Sequence, residues 1–186
     1  ADAWVQEAEK RGLLNLPTTA DALPLFVAQK NVELFTRHKV LTETELRSRC
    51  EIQLENYCTT LHIEAVTMLD MAQKDILPAA MDYQGWLAGI ANNKRSFCTL
   101  VSTANEEALL EKAACIADKL STEIENLSLA LGEADALADI QERADHYRDA
   151  VIPAMDTLRA RADALELLVA NRFWPYPVYG DILYSV

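Results

Sequence analysis

Few residues of this sequence are spaced for chemistry, and the best-placed pair is Cys58 with His62. The two lie four residues apart, so on a helix they share one face, as two metal ligands would. Cys50 lies two turns away and is too far along the helix to join them. Glu142 and His146 form a solitary pair, whereas a di-iron bundle needs Glu-x-x-His on each of two helices. We therefore interpret Cys58 as a small buried thiol and His62 as an interface histidine.

The motifs of phosphate binding and covalent catalysis are also missing from the sequence. It has no glycine-rich phosphate loop, no Gly-x-Ser-x-Gly and no His-Glu-x-x-His. The net charge of −12 argues against nucleic-acid binding, because phosphate contacts need clustered Lys and Arg. We predict no catalytic residue, no metal site and no cofactor within this chain.

The composition favours helices. Glycine (5) and proline (6) are scarce among 186 residues, and hydrophobic residues make up 51%, which is enough for a core. No apolar run approaches the roughly 20 residues of a membrane span, and the first residues do not resemble a signal peptide. Since the four cysteines include no C-x-x-C pair and no export signal is seen, we expect free thiols in the cytoplasm.

The elements that position these residues are predicted to be helices throughout. Short helices cover residues 3–11, ending at Gly12, and residues 25–38. A capping box of Thr42 and Glu45 then begins a much longer helix. A second helix follows a heptad pattern, and Gly132 is predicted to separate it from a third. The long helices are expected at about 42–91, 104–131 and 133–171.

Two prolines, Pro78 and Pro153, lie inside these helical patterns within similar strings of apolar, Ala and Met residues. Each should kink its helix, because proline lacks the backbone N–H and clashes with the preceding turn. The sequence therefore predicts an all-α fold. Its core is a long antiparallel three-helix bundle over 42–171 with Pro-kinked helices, preceded by short helices in 1–41.

The stretch 61–71 is apolar on more than one helix face, which indicates burial on several sides. We therefore expect Tyr57, Ile63 and Met68 to be buried. Charged residues beside an apolar surface are suited to anchor an interface. On this helix the candidate interface residues are Arg49, Glu55, Tyr57 and Glu64.

The last segment, 172–186, should be an extended docking tail. Pro175 and Pro177 force extended backbone around them. Aromatic side chains exposed on a loose tail would be costly in water, so the tail is expected to dock on a surface. Its candidate interface residues are Trp174, Tyr176 and Tyr179.

Several blocks of the sequence together resemble the C-terminal part of type III glutamine synthetases. The first is Val40-Leu41-Thr42-Glu43-Thr44-Glu45-Leu46, and the last is Trp174-Pro175-Tyr176-Pro177-Val178-Tyr179-Gly180-Asp181-Ile182-Leu183. Between and before them lie the further matching blocks 31–35, 48–49, 55–57, 63–65, 67–72 and 76–79. The resemblance covers nearly everything except residues 92–135.

The resemblance implies a parent enzyme that makes glutamine from glutamate, ammonia and ATP with Mg²⁺ or Mn²⁺. It also implies a ring-shaped homo-oligomer with active sites between neighbouring subunits. None of the family's catalytic motifs can be placed on this sequence, so the chain is expected to contribute structure and subunit contacts. Residues 1–41 would then link the bundle to the catalytic domain. The alternative is a free-standing helical-bundle interaction or sensory module.

Overall fold

A computed structural model describes residues 2–184, with the side chains of residues 2, 3 and 179 left out of the description. This part of the chain contains helices and no strand, so the predicted all-α helical-bundle class is confirmed. The chain divides into two compact units. Unit 1 comprises Ala1–His62 and Glu133–Ala150, and unit 2 comprises Ile63–Gly132 and Val151–Val186.

Nine α-helices and two π-helical turns lie in the described residues. The N-terminal helices are α1 Asp2–Lys10, α2 Thr19–Phe26 and α3 Gln29–Arg37. The long elements are α4 Glu43–Met71, the first π turn Ala72–Ile76, α5 Leu77–Phe97 and α6 Ala104–Ala136. The remainder are α7 Ile140–His146, the second π turn Tyr147–Val151, α8 Ile152–Glu166 and α9 Tyr179–Tyr184.

The predicted capping box is confirmed at the start of α4. The backbone N–H of Thr42 donates to Glu45 Oε2 at 2.8 Å, and the N–H of Glu45 donates to Thr42 Oγ1 at 3.3 Å. The Thr42 backbone N–H, with the Thr42 hydroxyl that also donates to Glu45 Oε2, holds the pKa of Glu45 below its usual value. Gly12 also adopts the positive φ of 77° expected at the end of α1.

Within the segment 1–41, hydrogen bonds tie α2 to the other helices of unit 1. Gln141 Nε2 donates to the carbonyl of Ala20 at 3.1 Å. The Cys50 thiol donates to the carbonyl of Leu23 at 3.4 Å. The helix predicted at 25–38 is found as the shorter α3, because the separate helix α2, capped by Thr18, extends to Phe26.

Both predicted proline sites are preceded by a π turn. Pro78 and Pro153 are each the second residue of the α-helix that follows the turn. At the first turn the N–H of Leu77 donates to the carbonyl of Ala72, five residues back. A π turn is a recognised way for a helix to continue past a residue that cannot join the regular ladder.

Gly132 does not break the chain between two helices, contrary to the sequence prediction. It lies inside α6, which continues to Ala136. One glycine costs only about 1 kcal/mol relative to alanine in a helix interior, too little to stop a long packed helix. The break falls later, where Asp139 caps α7 by accepting from the N–H groups of Gln141 and Glu142 at 2.9 Å.

The other long helices also have bounds that differ from the predicted ones. The first continues through Asn92 and Asn93 to Phe97, and the last ends at Glu166 rather than near 171. Within unit 2 an ion pair of Lys94 with Glu106 joins the end of α5 to the start of α6. The unit's core includes Ile76, Tyr83, Leu87, Leu120, Leu127, Leu158 and Leu165.

The burial predicted around 61–71 is only partly found. Tyr57 and Met68 are half-buried, whereas Ile63 is 59% exposed, so its predicted burial is wrong. Ala65 is fully buried, and two residues of helix turn the chain by about 200°, which directs Ile63 to the opposite side. The surplus of apolar residues in this stretch is therefore on the surface of the chain.

The C-terminal segment is not extended throughout. Residues 171–178 are irregular, but α9 begins at Tyr179. The carboxylate of Asp181 accepts from the N–H of Val178 at 3.2 Å, the reciprocal half of a capping box. This local cap explains why helix resumes so soon after Pro177.

Candidate interface surfaces

A polar cleft of about 350 Å³ lies in unit 1 and contains both members of the Cys58–His62 pair. Residues of α4 form one side, and the end of α6, α7 and the second π turn supply the other. Its lining comprises Glu55, Cys58, Thr59, His62, Asp135, Ile140, Arg143 and Tyr147.

His62 is held in this cleft by Tyr147. The imidazole Nδ1 lies 3.1 Å from the Tyr147 hydroxyl and 3.8 Å from Asp135 Oδ1. The hydroxyl can donate to Nδ1 when the imidazole carries its proton on Nε2. Burial, with a smaller effect of Asp135, raises the pKa of Tyr147 to about 12. The tyrosine therefore remains a neutral hydrogen-bonding group at physiological pH.

Cys58 is a buried thiol rather than a nucleophile. Burial raises its pKa above the usual value, and the thiolate is the reactive form of cysteine. Among the described residues no three His, Cys, Asp or Glu side chains come together in a way that could hold a metal ion. The cleft therefore presents hydrogen-bonding groups together with a thiol that burial keeps protonated.

Two of the candidate interface residues lie on the surface of α4 in unit 1. Glu55 is exposed at the polar cleft, whereas Arg49 is exposed at a shallow groove of about 360 Å³. The other residues of that groove are Leu23, Phe26, Ile52 and Gln53. The structure thus brings Arg49 and Glu55 to different surfaces rather than to one site.

Tyr57 is half-buried in unit 1, close to a charge cluster around Arg148 that sequence reasoning missed. Burial raises the pKa of Tyr57 above its usual value, and Arg148 partly opposes that shift. The Arg148 guanidinium donates to Asp21 Oδ1 at 2.7 Å, to Asp145 Oδ1 at 2.9 Å and to Asp149. The sequence shows Asp145 and Asp149 beside Arg148, but it gives no signal for Asp21, which is 127 residues away.

In unit 2 the candidate Glu64 is exposed next to a row of exposed apolar side chains. Ile63 is 59% exposed, Val66 46% and Met81 56%. Ile63 and Val66 lie three residues apart on α4 and are neighbours on the helix surface, whereas Met81 lies farther along, on α5. We call Ile63 and Val66 the outward face. Adjacent exposed apolar side chains of this kind mark interaction sites more often than scattered ones do.

The start of the C-terminal segment docks on α5 within unit 2. The ring of Phe173 lies 5.7 Å from that of Tyr83 and 5.8 Å from that of Trp86, measured between centroids. The guanidinium of Arg172 lies 4.1 Å from the centre of the Trp86 ring, a cation–π contact. The aromatic segment is therefore anchored on its own unit.

The tail candidates have different surroundings. The hydroxyl of Tyr176 donates to Asp75 Oδ2 of the first π turn at 2.7 Å, and burial with this bond raises its pKa to about 12. Trp174 is half-buried and meets Tyr176 edge-on at 6.5 Å between ring centroids. The side chain of Tyr179 lies outside the described residues.

A second feature missed by sequence reasoning is the loop between α5 and α6. Phe97 is 91% exposed, Leu100 93% and Val101 42%. We call these three residues the apolar tip. The run Phe97-Cys98-Thr99-Leu100-Val101 is apolar for a loop, and this composition was the available signal.

The fold defines the class of protein as an all-α helical-bundle domain. In the described residues no helix is both long and apolar enough to cross a membrane. Residues 1–95 match the family model described as the glutamine synthetase C-terminal domain. The chain therefore belongs to the glutamine synthetase C-terminal domain family.

Known glutamine synthetases resemble the chain along essentially its whole length. It is 36% identical over 189 residues to a glutamine synthetase of Butyrivibrio fibrisolvens, a match that covers 100% of this chain and 26% of that protein. It is 30% identical over 191 residues to the type-3 glutamine synthetase of Dictyostelium discoideum, covering 97% of this chain and 25% of that protein. The chain thus spans about a quarter of the length of these curated relatives.

Proposed function

We propose that this chain is the assembly domain of a type III glutamine synthetase. The whole enzyme would make glutamine from glutamate, ammonia and ATP in the cytoplasm, as a ring-shaped homo-oligomer. In this proposal the domain contributes contacts to the catalytic portion of its own chain and to neighbouring subunits, and no catalytic group.

The outward face carries the proposal. Ile63 and Val66 expose apolar surface on neighbouring positions of α4, and both lie within the matched residues 1–95. The relatives are about four times as long as this chain, so a large protein surface exists to cover the face. We propose that the catalytic portion of the same chain covers it, because a tethered surface needs little contact area to bind.

The arrangement of metal-ligating groups in the described residues supports placing metal and ATP binding in the catalytic portion of the enzyme. Mg²⁺ or Mn²⁺ needs several oxygen ligands at one point, and the described side chains form no such cluster. We therefore assign ATP and metal binding to the catalytic portion. The proposed cytoplasmic location agrees with the state of the four cysteines, which are all free thiols.

A double variant of the outward face tests this function. Ile63→Gln with Val66→Gln removes apolar area and keeps good helix formers at both positions. In the full-length synthetase we expect the domain to come away from the catalytic portion. Limited proteolysis should then cut the connection between them at least fivefold faster, and hydrogen exchange on the outward face should rise.

Leu129→Gln is the matched control, because Leu129 is 67% exposed on α6 of the same unit. It should leave proteolysis and exchange unchanged. In the isolated 186-residue chain, the melting temperatures of all variants should lie within about two degrees of the parent's, since the altered side chains are exposed. Unchanged proteolysis in the Ile63/Val66 variant would show that the outward face does not hold the domain to the catalytic portion.

A further inference from the structure

The apolar tip is held in a fixed conformation although Phe97 and Leu100 are left uncovered by the part of the chain that the structure describes. Lys94 pairs with Glu106 and Arg95 pairs with Glu107, which locks the ends of α5 and α6 together. Thr103 is buried and donates to Glu107 from its hydroxyl. The N–H of Val101 donates to the carbonyl of Cys98 at 3.1 Å and closes a turn. A loop ordered in this way binds without first losing conformational freedom.

We propose that the apolar tip inserts into an apolar pocket of a neighbouring subunit of the synthetase. This inference rests on the proposed function and names the partner of a second surface of the same domain. Phe97 and Leu100 are the anchors, because each is more than 90% exposed, Phe97 at the end of α5 and Leu100 in the loop that follows.

The size of the tip argues that its partner belongs to the same assembly. A stable complex between free proteins buries roughly 1,200–2,000 Å². Three side chains supply much less, so two tips meeting each other would not hold two copies of this chain together. A contact this small is sufficient only when other contacts already raise the effective concentration of the two surfaces.

Distance favours a neighbouring subunit over the chain's own catalytic portion. The outward face begins at Ile63, and 34 residues of nearly continuous helix separate it from Phe97, about 50 Å at 1.5 Å per residue. A domain that docks on its own catalytic portion near Ile63 therefore projects the tip about 50 Å from that contact.

Charge argues against a lipid surface as the partner. The net charge of −12 repels anionic headgroups, and the two cations at the tip, Lys94 and Arg95, are already paired with glutamates. An apolar protein pocket carries no such penalty.

Photocrosslinking in the full-length synthetase tests the proposal. Leu100 is replaced by p-benzoylphenylalanine, and oligomers are assembled from equal amounts of unlabelled and ¹⁵N-labelled subunits before irradiation. We expect crosslinked peptides of mixed isotope composition that join position 100 to a residue outside this domain. The same photocrosslinker at Leu167, which is 92% exposed on a different part of the unit, should give at least tenfold less product.

The Phe97→Ser/Leu100→Ser variant adds a second measurement. It should raise the subunit concentration at which the oligomer dissociates by at least tenfold, while the melting temperature of the 186-residue chain stays the same. Crosslinks confined to one chain, or none, would overturn the tip proposal, as would tip-dependent sedimentation with phosphatidylserine vesicles. In each of those cases faster proteolysis of the Ile63/Val66 variant would still support the proposed function.

Discussion

Tyr147 is the largest of the fully buried side chains in the described residues, with 1% of its surface exposed and its hydroxyl against His62. The folded state raises the pKa of Tyr147 to about 12. In the unfolded chain a tyrosine titrates at about pH 10, so folding favours the neutral phenol. The stabilisation is complete below about pH 10, and it is lost as the pH rises from about 10 to about 12, because the unfolded state releases its proton first.

The free energies of unfolding of the parent and of Tyr147→Phe, measured in urea between pH 8 and 12, should therefore converge as the pH rises. The parent loses the contribution of its buried phenol over the upper two pH units, whereas the variant has no phenol there to titrate. Tyr176→Phe serves as the comparison, since its pKa is also raised to about 12 but its ring is only half-buried. If the difference between parent and Tyr147→Phe is constant across this range, the buried phenol does not titrate as inferred.

Arg148 acts at the same scale by joining α2 to the second π turn. Its guanidinium meets three carboxylates, which keep its pKa above its usual value, the hydrogen bond to Asp149 being the largest effect. Arg148→Met should lower the melting temperature and speed amide exchange in α2, because Asp21 then loses its ion pair with Arg148. Arg159→Met is the control, since Arg159 is well exposed and pairs with Asp163 of its own helix. Equal changes in melting temperature for the two variants would show that the Arg148 cluster stabilises the fold no more than an exposed ion pair does.

At the level of elements, the course of α6 through Gly132 can be tested by substitution. A helix that continues through this position should be stabilised by alanine, whereas a break at Gly132 should be disturbed by it. A Cβ added at Gly132 would meet no atom within 4 Å, so alanine fits without strain. Gly132→Ala should raise the free energy of unfolding by about 0.5–1 kcal/mol, because alanine is the better helix former. Asp139→Ala, which removes the cap of α7, should lower it by about 0.5–2 kcal/mol. A loss of stability in Gly132→Ala, measured by urea denaturation, would indicate that the helix does break at this glycine.

Local signals in the sequence were sufficient for much of the fold. The capping box at Thr42 and the stop at Gly12 were predicted correctly, because each depends on a few adjacent residues. Gly132 was misread because buried neighbours on both sides of it, Leu131 and Ala134, stabilise continuous helix beyond what a single glycine costs.

The candidate surfaces were less predictable, because their contacts join distant parts of the chain. The bond between Tyr176 and Asp75 spans 101 residues, and no local pattern at either position indicates it. The exposure of Ile63 could not be predicted either. An apolar residue in a helical pattern indicates burial, but the pattern does not show whether the same chain or a partner buries it.

At the scale of the whole molecule, the C-terminal segment has two parts with different expected roles. Phe173 packs against Tyr83 and Trp86 and is half-buried, so it should stabilise the domain itself. In α9, Ile182 is 60% exposed and Leu183 68%, so this helix contributes little to its own unit and is available to a partner. We predict that the first part is a local anchor and that α9 serves assembly.

Two changes separate these roles. Phe173→Ala should reduce the stability of the 186-residue chain by about 0.5–3 kcal/mol, less than the loss for a fully buried phenylalanine, because an aromatic contact is removed. Deleting residues 179–186 should leave the melting temperature of that chain unchanged, yet shift the full-length synthetase towards smaller species in analytical ultracentrifugation. If the deletion instead destabilises the isolated chain while the oligomer persists, α9 is part of the local anchor. Its exposed leucine and isoleucine would then need no partner.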